Sequence, residues 1–150
     1  MPKHELDPLL ERIADALDRL APPAGKSHDL SAANAFVWHS NPENLEPIHK
    51  VNRIALDLLR GIDQQISILR DNTERFANGF PANNALLWGA RGTGKSSLVK
   101  AIHAEINENN KNQLALVEIH REDIPPLPRL LHVLAKSDRR CLLFCDDLSF

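Results

Sequence analysis

Eight consecutive residues, Gly89-Ala90-Arg91-Gly92-Thr93-Gly94-Lys95-Ser96, have the types and spacing needed to hold phosphate. Glycines at the first, fourth and sixth places of the run let the backbone curl until successive N–H groups point inward at anionic oxygens. A lysine directly after the last glycine puts a point charge on the β- and γ-phosphates of a nucleotide, and the next serine offers a hydroxyl to magnesium. Ser97 can add a contact near the α-phosphate. Gly89, Ala90, Arg91, Gly92, Thr93, Gly94, Lys95, Ser96 and Ser97 are therefore the candidate nucleotide-binding residues. About fifty residues on, the apolar run Leu142-Leu143-Phe144-Cys145 ends in Asp146 and Asp147. A carboxylate there can hold magnesium, and a second can orient an attacking water. Asp146 is assigned to the metal with Ser96, and Lys95 and Asp147 to catalysis. Aspartate is one methylene shorter than the glutamate that many ATPases carry at the second acidic position.

These residues need elements to carry them. Ala85 to Trp88 is a short continuous apolar run, the pattern of a buried parallel strand leading into the loop. Leu98, Ile102 and Ile106 recur at spacings of four, so a helix runs from Lys95 to about Asn107 and aims its positive end at the loop. Asn107 to Asn112 reads as a polar loop. Leu114–Ile119 and Cys141–Cys145 read as strands and Leu127–Lys136 as the helix between them. Strand, helix, strand, helix, strand predicts an α/β fold around a parallel sheet with right-handed crossovers. Upstream, the spacing predicts helices over 7–20, over 47–61 and over 63–76, with an apolar run at 35–38 that is a strand or a packed loop. The Pro- and Ser-rich stretch Ala21–Ala35 reads as a linker. The expected division is an N-terminal helix and linker at 1–44 and a nucleotide-binding domain at 45–150.

Composition narrows the function classes. The chain has 150 residues, is 43% apolar and 25% charged, and carries a formal net charge of -2. Nothing in that balance advertises nucleic acid, and no apolar run approaches the roughly 18 residues a membrane span needs. No secretory signal opens the chain, so a cytoplasmic location is expected. The two cysteines, Cys141 and Cys145, share one face of a strand and read as packed thiols. The seven histidines form no metal-ligand array. Trp88 reads as a packing residue, and Trp38 as an anchor for the N-terminal segment.

Several strings resemble known proteins. Leu58-Leu59-Arg60-Gly61-Ile62-Asp63 resembles the box that precedes the phosphate loop in AAA+ ATPases, where Gly61 and Ile62 would approach adenine. Leu86-Leu87-Trp88-Gly89-Ala90-Arg91-Gly92-Thr93-Gly94-Lys95-Ser96-Ser97-Leu98-Val99-Lys100-Ala101 and Phe144-Cys145-Asp146-Asp147-Leu148-Ser149-Phe150 resemble a bacterial family of AAA+-like P-loop ATPases catalogued as a domain of unknown function. The paired aspartates are also similar to those of bacterial replication initiators and helicase loaders. The resemblance covers about Leu45 to Phe150. It implies a P-loop NTPase of AAA+-like type, a three-layer sandwich, with ATP and Mg2+ as cofactors in a bacterial cytoplasm. Proteins of that type continue past the acidic pair with further strands, a polar sensor and an arginine-rich segment, so the chain reads as truncated after the Walker B strand and inactive by itself. The function expected of the complete protein is Mg-dependent ATP hydrolysis coupled to an unknown client. The alternative is a nucleotide-gated binding or loader module without turnover. A small-molecule kinase is the weaker reading, since no lid-like arginine cluster precedes Phe150. Self-association as a homo-oligomer is left open.

Overall fold

The computed structural model describes residues 29–109 and 114–146, together with Leu10, Arg12, Ile13 and Ala16. Most of the helix expected over 7–20 and of the linker after it lies outside the described residues, as does Asp147. The described elements are β1 (Ala35–Ser40), β2 (Glu43–Ile48), α1 (Asp63–Ala77), α2 (Lys95–Asn109), β3 (Leu114–Ile119), α3 (Leu127–Leu134) and β4 (Arg140–Cys145). Single 3-10 turns occupy Leu56–Leu58 and Arg121–Asp123.

The fold is α/β. Its four strands lie in the order β2-β1-β3-β4. β3 pairs in parallel with β1 on one side and β4 on the other, and β2 pairs antiparallel with β1 as a hairpin. The sheet is thus mixed rather than all parallel. β3 is the most buried strand, with Leu114, Ala115 and Val117 fully enclosed, because helices cover both of its faces. On one face Ala115, Val117 and Ile119 pack with Phe36 and Trp38 of β1 and with Leu130 and Leu134 of α3. On the other, Leu114 packs with Leu98, Ile102 and Ile106 of α2 and with Ile66 of α1. The period-2 alternation of β3 meets the fourfold spacing of α2, which is why these two elements match their expected spans closely.

Five expectations are corrected. The helix expected over 47–61 is absent: Glu43–Ile48 is a strand, and only Leu56–Leu58 turns helically. Pro47 and its neighbours are held instead by the β1 ladder, where Phe36 faces Pro47. Ala85–Trp88 forms no strand, because no strand among the described residues lies beside it to share a ladder. Leu86 is 66% and Trp88 88% exposed, so Trp88 does not pack. The boundary expected after residue 44 falls inside the β1–β2 hairpin, and β1 is an inner strand whose Trp38 is fully buried. The polar tract from Asn107 begins inside α2, and Asn107 is itself buried.

Polar contacts tie down the end of the sheet away from the loop. The Asn107 side chain accepts from Leu114 N–H at 3.0 Å and donates to Leu114 C=O at 2.8 Å. His103 Nε2 lies 3.0 Å from the same carbonyl. Arg139, just before β4, donates to the Leu30 and Ala33 carbonyls and to Asn34 Oδ1, joining the start of β4 to the segment before β1. No helix among the described residues is long and apolar enough to cross a membrane.

Candidate phosphate-binding site

The loop and α2 form one unit. Gly92 and Gly94 have φ of 81° and 85°, the left-handed region that side chains avoid, and these two residues turn the chain back toward the helix start. The helix ladder then begins with Leu98 N–H donating to Gly94 C=O at 2.8 Å. N–H groups of the first turn have no carbonyl partner inside the helix, so they and the helix dipole favour an anion at this end.

Lys95 curls back into the loop. Its Nζ donates to Gly89 C=O at 3.0 Å and to Ala90 C=O at 2.8 Å. Thr93 Oγ1 donates to Ala90 C=O at 2.9 Å. The loop is therefore folded around a cation held by carbonyl dipoles, which phosphate oxygens would outcompete because they carry full charge. Arg91 is exposed at the loop apex, and Ser97 is half-buried at the helix start.

Ser96 reaches out of the loop. Its hydroxyl donates to Asp146 Oδ2 at 2.7 Å, across 50 residues of sequence. Alternation explains the meeting. Leu142 and Phe144 of β4 pack on the α2 side of the sheet, and Asp146, the next residue on that side, falls under the start of α2. One step inward, Lys100 of α2 pairs with Glu118 of β3 at 2.9 Å, with both side chains half-buried. Burial pushes the Cys145 thiol upward, and the neighbouring Asp146 charge adds to that shift. Burial likewise raises the Cys141 thiol. Both cysteines are half-buried free thiols.

The segment around Gly61 also adjoins the loop. A Cβ at Gly94 would stand 3.4 Å from Leu59 Cδ2. Leu59 and Ile62 pack against the cluster that holds Leu98 and Ile102. Gly61 itself has φ of 77° and open space around its α-carbon. The structure thus gathers Leu59 to Ile62, the loop, Ser96 and Asp146 into one region, while Asp147 lies outside the described residues. Among the described residues no group of three or more His, Cys, Asp or Glu side chains could hold a metal ion by themselves.

Sequence reasoning missed His39 and His120. Trp38 of β1 and Cys145 of β4 both align with Ile119 of β3. His39, His120 and Asp146 are the next residues along the chain. One signal could have found His120: it follows the apolar run of β3 as Asp146 follows that of β4.

The family described as "Protein of unknown function (DUF815)" matches residues 31–150. No curated protein and no solved structure matches the chain.

Proposed function

The chain belongs to the DUF815 family, matched over residues 31–150, and from that premise and the geometry of its loop we propose that it is a P-loop protein of AAA+-like type that binds ATP with magnesium and hydrolyses it. The observation that carries this reading is the contact between Ser96 and Asp146. A glycine-rich turn alone could be accidental, but a turn whose serine meets a carboxylate at the end of a parallel strand has the donor set magnesium prefers. Two hard oxygens converge there, one hydroxyl and one carboxylate, the kind of ligand magnesium takes. Ser96 and Asp146 would hold the magnesium, whose charge would offset that of the phosphates.

The residues then divide the work. Lys95 leaves the Gly89 and Ala90 carbonyls and binds the β- and γ-phosphates. The backbone N–H groups of 90–96 cradle the phosphate chain. Gly61 and Ile62, beside Leu59 and the loop, lie against the adenine. Asp147 orients water for attack at the γ-phosphate. The same reading sets the work in a bacterial cytoplasm, on a client whose chemistry the chain does not specify.

Magnesium titration tests it. Calorimetry should show that magnesium strengthens ATP binding by the wild-type protein. Asp146→Asn should lose that gain, whereas Asp147→Asn should keep it and lower turnover instead, since a metal ligand acts on binding and a water-orienting group on rate. Wild-type affinity that ignores magnesium would refute the metal assignment, and equal effects of the two variants would mean their roles are exchanged or shared.

A further inference from the structure

The phosphate site has a wall that the loop does not account for. The carboxyl ends of β1, β3 and β4 share one rim because the three strands run parallel. Trp38, Ile119 and Cys145 stand in register there, and the next residues along the chain are His39 within β1, His120 just after β3 and Asp146 just after β4. In open α/β sheets, ligands bind outside the carboxyl ends of the strands.

We propose that His120, backed by His39, contacts the terminal phosphate of the bound nucleotide and gives the site a preference for triphosphate over diphosphate. The proposal rests on the nucleotide-binding reading above. Its first support is direction. Leu59 and Ile62 pack in a cluster with residues of α1 and α2, with Leu114 of β3 and Leu142 of β4 and with none of β1, so the base side of the site lies away from β1. Ser96 and Asp146 mark the magnesium-binding pair at the end of β4. Proceeding from the base, past that pair and along the sheet order, the next residue on the rim is His120. A nucleotide with its base near Leu59 and its metal-bound oxygens at Ser96 therefore directs its last phosphate toward this histidine.

The second support is how the pair is held. His39 Nε2 lies 2.9 Å from Glu46 Oε2 on the adjacent strand, which fixes the His39 ring. The His39 and His120 ring centroids are 6.4 Å apart and tilted by 42°, so His39 stands behind His120 without stacking on it. His120 is exposed, and no apolar cluster claims its ring. An imidazole N–H is a suitable donor to a phosphate oxygen in either charge state.

The test compares ADP with a non-hydrolysable ATP analogue, each with magnesium, by calorimetry on the purified protein. One hydrogen bond to phosphate predicts that His120→Ala weakens analogue binding by roughly three- to tenfold and leaves ADP binding unchanged. His120→Asn keeps an N–H donor and should recover part of the loss. Unchanged ADP affinity also shows that the variants are folded. Equal weakening of both nucleotides, or of neither, overturns the proposal while leaving the loop assignment intact, provided that Lys95→Ala still weakens both. If the wild-type protein binds neither nucleotide, the parent reading and this inference fail together.

Discussion

The two ends of α2 are built on different terms. At its C-terminal end His103 and Asn107 are 2% and 4% exposed, and their polar atoms serve the backbone of Leu114. At its N-terminal end Lys95 and Thr93 donate to carbonyls of their own loop, and the residues from Gly89 to Thr93 are exposed. One end is closed by buried partners on a neighbouring strand that cannot be removed cheaply. The other is closed by local carbonyl contacts that a ligand can replace. A loop that takes up a ligand as proposed must exchange its bonds at little cost, and the buried contacts at the other end of the helix hold it in place meanwhile.

Three measurements can break or sharpen that contrast. The largest effect belongs to Asn107→Ala. It strips the buried Leu114 N–H of its partner and the Leu114 C=O of one donor, His103 remaining beside that carbonyl, and an unsatisfied buried group costs about 1–3 kcal/mol. Denaturant unfolding should show a loss of about 1.5–4.5 kcal/mol, the unsatisfied N–H plus one lost hydrogen bond at the C=O. A loss below about 1 kcal/mol would mean that water or neighbouring groups take over, and that this end is not closed as described.

Next comes Lys95→Ala. Charge-assisted hydrogen bonds are worth about 1.5–3 kcal/mol, so ATP affinity should fall roughly ten- to hundredfold. Stability should move by less than about 0.5 kcal/mol, as for surface changes that touch no buried feature. The contrast would collapse if unfolding shifted as much as affinity did.

The smallest effect is pH-dependent. Burial lowers the His103 pKa below the ordinary imidazole value, outweighing the hydrogen bond to the Leu114 carbonyl. The unfolded chain therefore binds a proton at His103 more readily than the folded one does. Stability is then full above the unfolded pKa, about 6.5, and declines as pH falls below it. Thermal unfolding between about pH 7.5 and pH 5.5 should show this decline, reduced in His103→Gln. An identical acid-side slope in the variant would show that His103 contributes nothing to it.

Sequence pattern alone determined the elements whose burial repeats locally. The fourfold apolar spacing in α2, the continuous apolar run of β3 and the helix–strand sequence from Leu127 to Cys145 were legible because each period matches the face it buries. So was the loop, since glycine at Gly92 and Gly94 answers a backbone demand that few other residues meet. Only the tertiary structure decided which strands neighbour one another. The apolar run Ala85–Trp88 looks like a strand, yet a strand is defined by the partner that takes its hydrogen bonds, and the described residues supply none. β1 became an inner strand because β3 lay beside it, and the antiparallel β2 displaced an expected helix because its backbone found the β1 edge. The contact of Ser96 with Asp146 and the row from His39 through His120 to Asp146 have the same origin. Register between strands far apart in sequence depends on long-range packing, and no local period encodes it.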